Sequence, residues 1–454
     1  MNTRKPIQPP NTSVVHALSF SSTRSRFTAA LSNGIHCFRS DNCLTTYWPR
    51  LPAEGGIGIA EAIDDRYIAL VGGGREPAWK PSEVIFWDAV LGKETKRFDM
   101  HEPIRGIRIS ARWLVVLLLK RVLIFRYQKL AGEGLMAPNI IRPIITTGSN
   151  YYGLASLSGS ILVLPQQACG QAQLISLEKN NLRILKAHQA SVRSLALSDD
   201  GSLLATASER GTMIRVFHTQ TLQLAFEFRR GVDQARIYSL AISPKNRWLA
   251  CTSDKGTLHI FRLSHEPLTI SGRPNSHSNR PASQPTRPPS SQQSSGGRSY
   301  ASNTQGSVQE YYNLRPATGT SLSPPRLSMG ATALGILKKT PFTPRAIRDI
   351  RSVFSTEFHI GDDDVYWQGG PSTPIVTEGP EGKKIKAPRP VLPLPNDPLG
   401  RPPKGVLGFA KEEGETAVVR VLAGGMDARW EEFEISSEGI VHRGFRRLLT
   451  RQFV

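Results

Sequence analysis

Val192-Arg193-Ser194-Leu195-Ala196-Leu197-Ser198 and Ile237-Tyr238-Ser239-Leu240-Ala241-Ile242-Ser243 match in residue type at an offset of 45 (237 minus 192). The match continues downstream. Leu204-Ala205 corresponds to Leu249-Ala250, Ser208 to Ser253, and Glu209-Arg210-Gly211-Thr212 to Asp254-Lys255-Gly256-Thr257. It closes with Arg215-Val216-Phe217 against His259-Ile260-Phe261 after a slip of one residue. A period near 45 residues with several strands per unit is the pattern of a WD40-type propeller blade, and a β-sandwich has no reason to repeat in this way.

Weaker copies of the unit end in Ile85-Phe86-Trp87-Asp88 and in Leu123-Ile124-Phe125. Short apolar runs of strand length recur through the first 263 residues, as in Ile68 to Val71, Leu114 to Leu119 and Ile161 to Leu164. Turn signals such as Asn33-Gly34, Ser158-Gly159 and Asp200-Gly201 separate them, and long helical periodicity is absent. The reading is an all-β chain.

From 264 to 349 serine, proline, glycine, asparagine and glutamine dominate, a composition that cannot bury enough apolar surface to fold alone. Ten lysines and arginines between Arg273 and Arg348 face only Glu310, so the stretch reads as a disordered basic insertion. Within it, Leu327 to Ile336 followed by Lys338-Lys339 has the make-up of a short amphipathic helix that could meet a bilayer. Strand-like sequence resumes near 350, a proline-rich loop covers 369–404, and a last blade-like unit spans Gly405-Val406-Leu407-Gly408-Phe409, Ala417 to Leu422 and Trp430 to Phe433. Residues 11–263 and 350–454 are therefore expected to form one propeller interrupted by two loops.

Fifty-seven lysines and arginines against 37 acidic residues give a formal charge of +20, which favours an anionic partner, either nucleic acid or an acidic membrane surface. The four cysteines, Cys37, Cys43, Cys169 and Cys251, form no Cys-x-x-Cys pair and lie at no zinc spacing, so no metal and no cofactor are expected. Met1 to Pro10 lacks an apolar signal core. The most apolar run, Trp113 to Leu119, is too short to span a bilayer. The expectation is a cytoplasmic protein whose membrane contacts are peripheral.

Between the two best repeats lies Phe226-Glu227-Phe228-Arg229-Arg230-Gly231. On a strand, successive side chains point to opposite faces, so Arg229 and Arg230 enter different grooves between blades. One is expected to look toward the unit ending at Phe217, the other toward the unit ending at Phe261, with Gly231 permitting a sharp turn after them. A guanidinium is a planar fork suited to phosphate. On one side the repeat supplies His188, Thr206, Ser208, Arg210 and Arg215; on the other it supplies Ser253, Lys255, Thr257 and His259, with Thr252 adjacent. Hydroxyls and cations together suit an inositol phosphate. The plainer alternative is that the two arginines form a solvated edge or pair with Glu227 and Asp233.

Phe228-Arg229-Arg230-Gly231 resembles the signature of the PROPPIN family, the phosphoinositide-binding propellers of autophagy. Lys186-Ala187-His188, Ala205-Thr206-Ala207-Ser208, Ile214-Arg215-Val216-Phe217 and Thr252 through Phe261 are similar to family motifs as well. The resemblance implies a seven-bladed propeller with the long insertion in its sixth blade. It also implies two sites for phosphatidylinositol 3-phosphate and phosphatidylinositol 3,5-bisphosphate. Arg229 would serve the first with His188, Ser208 and Arg215, and Arg230 the second with Ser253, Lys255, Thr257 and His259. It further implies autophagy proteins as partners and a place on vacuolar, endosomal or pre-autophagosomal membranes.

Two rival readings are a WD-repeat scaffold without lipid binding and a nucleic-acid binder. Against the second, the basic insertion has little aromatic interleaving beyond Tyr300, Tyr311 and Tyr312. An enzyme is not expected: there is no Gly-x-Ser-x-Gly elbow, metal cluster or phosphate loop, and Gly72-Gly73-Gly74 is not followed by Gly-Lys-Ser/Thr.

Overall fold

A computed structural model describes residues 13–47, 51, 54–63, 66–126, 139–140, 145–263, 350–361, 375–378, 384–387, 394–395, 397 and 400–450. They form seven antiparallel sheets in chain order: 15–47, 57–99, 106–146, 156–186, 192–229, 237–262 with 354–357, and 406–447, here blades 1 to 7. The inner strands of successive blades touch one another around a ring that ends where it began, with blade 7 against blade 1. Together they line a central channel of about 1150 Å³.

Seven apolar clusters hold the ring, one at each junction between neighbouring blades. Each blade is therefore covered on both faces, and in blades 2, 3, 5 and 6 the second strand is buried along its whole length. Tyr67–Gly72, Trp113–Leu117, Leu203–Ser208 and Trp248–Ser253 are all of this kind. Two-sided burial explains why the sequence shows short unbroken apolar runs and not strict alternation. The outermost strands face solvent and turn polar, as in Lys93–Asp99.

Ring closure uses backbone and side chain together. Val15 N donates to Gly425 O at 3.0 Å, and Gly425 N returns the bond to Val15 O at 2.9 Å. Trp430 of blade 7 donates its indole N–H to Ser40 O of blade 1 at 3.0 Å. Between them Phe27, Phe38, Leu422 and Trp430 share one cluster.

The third strand of blade 6, Thr257–Arg262, pairs with Phe354–Glu357, so the chain between them leaves and re-enters the same blade. The stretch 264–349, with the amphipathic segment Leu327 to Ile336, lies outside the described residues. On its return the chain first adds Ile350–Arg351 in parallel to the outer strand of blade 5, placing Ile350 opposite Phe228 and Arg351 opposite Arg229. The proline-rich 369–404 is more than a loop, since Ile375–Glu378 and Lys384–Ala387 pair as a two-stranded ribbon.

Candidate functional site

Leu224–Arg229 is the fourth strand of the blade that contains Phe217, not a separate element beside it. Its register puts Glu227 opposite Arg215 and Arg229 opposite Met213. Phe228 is buried in the apolar cluster between blades 5 and 6, so alternation turns Glu227 and Arg229 to the other face, toward blade 4. Arg229 Nη1 lies 3.5 Å from Met213 Sδ on that face. Arg230 follows the strand and points toward blade 6, where its charge reaches Cys251 and His259. Its Nε donates to Gly211 O at 2.7 Å and its Nη2 to Asp233 O at 2.6 Å, both backbone carbonyls. Two adjacent guanidinium groups thus occupy different grooves.

In the groove between blades 4 and 5, Arg215 donates to Glu227 Oε1 at 2.8 Å and to Ala187 O at 2.6 Å. His188 Nε2 lies 2.9 Å from Thr206 Oγ1, which donates in turn to Arg215 O at 3.2 Å. Burial first, then the Arg215 charge, lowers the His188 pKa to about 4, so the imidazole is neutral at pH 7. Thr206 is fully buried and its hydroxyl is committed to these bonds, so it positions His188 and Arg215 from beneath. Ser208 shares the strand face of Thr206 and is nearly buried. Arg210 is exposed on the turn that follows this strand, where its backbone carbonyl accepts from Ala235 N at 3.2 Å.

That turn depends on Gly211. Its φ is +60°, and a Cβ there would sit 1.8 Å from Ala235 O. Only glycine satisfies both conditions, and the carbonyl it presents is the one that holds Arg230. Gly231 differs: it is absent from the positive-φ glycines and a Cβ would meet nothing within 4 Å, so no sharp left-handed turn occurs there.

In the groove between blades 5 and 6, Thr257 Oγ1 lies 3.1 Å from His259 Nε2, and His259 Nδ1 lies 3.2 Å from Ser352 Oγ. Burial, followed by the Arg230 charge, lowers the His259 pKa to about 4. Ser253 shares the strand face of Cys251, which packs in the cluster between blades 5 and 6. Its hydroxyl is fully buried and has no hydrogen-bond partner among the described residues. Lys255 is exposed on the turn before Thr257. Thr252 does not belong with them. Being adjacent to Ser253 on a strand it faces the other way, and its hydroxyl donates to Gly405 O of the segment entering blade 7 at 2.6 Å. Among the described residues, Glu227 and Ser352 are polar groups of these grooves that the repeat did not point to as groove-lining partners; Ser352 comes from beyond the insertion, where no repeat signal reaches.

A profile of the PROPPIN family matches residues 79–282, which contain every groove residue named above except Ser352. SVP1-like protein 2 of Neurospora crassa is 31% identical over 97% of this chain and 94% of its own length. The chain belongs to the PROPPIN family. SVP1-like protein 2 of Emericella nidulans is 32% identical over 82% of this chain and 92% of its own. Autophagy-related protein 18e of Arabidopsis thaliana is 30% identical over 58% and 69%. Among solved structures, Kluyveromyces lactis Hsv2 superposes with a TM-score of 0.59 at 15% identity, over 96% of this chain and 99% of that one, and so shares the fold.

Proposed function

We propose that this PROPPIN chain is a peripheral membrane adaptor that holds phosphatidylinositol 3-phosphate or phosphatidylinositol 3,5-bisphosphate in the two grooves flanking the outer strand of blade 5. His188, Ser208, Arg215 and Arg229 serve the first groove. Arg230, Ser253, Lys255, Thr257 and His259 serve the second, and Thr206 holds the first in shape. The observation that carries the reading is that Arg229 and Arg230, neighbours in sequence, stand in different grooves, and that each groove holds a neutral imidazole and hydroxyl groups.

A charge-assisted hydrogen bond to phosphate contributes about 1.5–3 kcal/mol, so either groove alone binds weakly. Both grooves sit on one rigid ring and meet the same bilayer, so the second headgroup binds at an effective concentration on the order of millimolar. The +20 charge adds unspecific attraction to an anionic surface. In cells the reading places the protein in autophagy and in traffic at vacuolar or endosomal membranes. The rest of the ring is then free to recruit proteins; KlAtg21, a propeller of the same fold at 16% identity, has been solved with a coiled coil of AgAtg16.

The test is calorimetric titration with soluble inositol 1,3-bisphosphate. The wild type is expected to show two sites and Arg229→Ser and Arg230→Ser one each. Loss of both sites in either single variant would refute independent grooves.

A further inference from the structure

Away from the two outer grooves, the ring carries a second concentration of positive charge. The central channel is lined by the inner strands, which all run in the same sense. At the end where these strands begin stand Arg105 before blade 3, Arg193 in blade 5, Arg236 before blade 6, and Arg401 and Lys404 before blade 7. Two carboxylates, Asp254 and Asp397, face them.

Arg193 reaches this mouth through a β-bulge: the pairing register skips between Val192 and Ser194. Blade 6 has the same bulge between Ile237 and Ser239, which turns Tyr238 inward at the equivalent place. Bulges re-aim side chains and recur beside functional sites. Arg193 Cζ lies over the Tyr152 ring, 3.6 Å from its centroid. Neither Arg193 nor Arg236 makes a side-chain hydrogen bond or ion pair among the described residues. Among the described residues Arg105 Nε and Arg401 Nη2 are buried without a hydrogen bond, although Arg401 Nε reaches Asp397 Oδ2 at 3.2 Å. At the far end of the channel Arg24 is paired to Asp199, with 2.9 Å between Nη1 and Oδ2.

Burial lowers the Arg193 pKa, and the Arg236 and Arg401 charges lower it further, against the opposing pull of Tyr152 and Asp397. Guanidinium groups from three blades crowded at one opening, with fewer acids than cations, are an unfavourable arrangement for the empty protein. An anion that accepts hydrogen bonds on several sides relieves it.

We infer that this mouth of the channel is a binding site for a compact, multiply phosphorylated anion such as an inositol polyphosphate, held by Arg193, Arg236 and Arg401. The site is separate from the two grooves and does not depend on their binding lipid. Guanidinium forks approaching from different blades match phosphates spread around a small ring better than a single carboxylate. The charge and the flanking Tyr152 and Tyr238 favour a soluble ligand that enters the funnel.

The probe is inositol hexakisphosphate, titrated calorimetrically into the full chain. A one-to-one component should persist in Arg229→Ser/Arg230→Ser. It should weaken about a hundredfold in Arg193→Gln/Arg236→Gln, where two guanidinium groups no longer donate to phosphate. Arg193→Lys/Arg236→Lys keeps the charge without the forks, and should weaken about tenfold while melting like the wild type. The probe should raise the wild-type melting temperature, which keeps the test decisive should the glutamine pair fail to fold. Flotation on phosphoinositide vesicles should be unchanged in the lysine pair; a fall there would assign the anion to a bilayer-borne headgroup instead of a soluble one. Unchanged affinity in the folded lysine and glutamine pairs, or loss of all probe binding in Arg229→Ser/Arg230→Ser, would overturn the proposal.

Discussion

Ser253→Ala separates a binding group from a structural one by the sign of its effect on stability. In the free protein the Ser253 hydroxyl is fully buried and bonded to nothing among the described residues. A buried unsatisfied hydroxyl costs about 1–3 kcal/mol, and removing it leaves no other group unpaired. The variant is therefore expected to be more stable than the wild type by about 1 kcal/mol, a rise of about 2 °C in melting temperature for a ring of this size. The same change removes a donor to phosphate, worth about 1.5–3 kcal/mol when the acceptor is charged, so headgroup affinity should fall about tenfold or more. Thermal denaturation and calorimetry on one preparation measure both. A variant that is less stable than the wild type, or that binds the headgroup equally well, would refute the assignment of this hydroxyl to the ligand.

Thr252→Ala, one residue away, should do the reverse. It strips the Gly405 carbonyl of its 2.6 Å bond and should destabilise by about 1–2 kcal/mol in a denaturant titration, with headgroup affinity unchanged. Gly231→Ala should melt within about 1 °C of the wild type, since a surface change that breaks no contact stays within about 0.5 kcal/mol. Gly211→Ala must move the Ala235 carbonyl and should both destabilise the ring and weaken the groove held by Arg230, as read by melting and headgroup titration. His188 and His259 stay neutral in the fold down to about pH 4, whereas the unfolded chain protonates near 6.5. Stability is then lost as pH falls from about 6.5 to 4, by no more than about 3 kcal/mol per histidine before solvent screening. A bound phosphate favours the imidazolium, so headgroup affinity should rise between pH 7.5 and 5.5 with net proton uptake. Glutamine at both positions should flatten that rise.

The ring was legible in the sequence because a blade is a local unit. Four consecutive strands repeat at a fixed spacing, and burial of both faces leaves recurring apolar runs such as Ile68 to Val71. The turning of Arg229 away from Phe228 follows from strand alternation, whereas Arg230 lies just past the strand and is held by Gly211 O and Asp233 O. The same rule applied to Thr252-Ser253 would have sent Thr252 toward blade 7, and grouping residues by motif hid it. Arg210 sits on a turn, where alternation assigns no face, and that turn is held by the Ala235 contact, which is tertiary. Ser352 reaches its groove, and Arg351 pairs beside Arg229, only after the chain returns from the insertion, and the Trp430 bond to Ser40 joins opposite ends of the chain. No local pattern encodes such contacts.

The central claim rests on one strand end lodging two cations in two crevices that open on the same bilayer. Flotation with vesicles bearing each phosphoinositide in turn, at physiological salt, tests it most directly. The wild type should float with phosphatidylinositol 3-phosphate and 3,5-bisphosphate and not with uncharged lipid, and Arg229→Ser/Arg230→Ser should remain in the soluble fraction while melting like the wild type. A folded double variant that floats as well as the wild type would contradict the account.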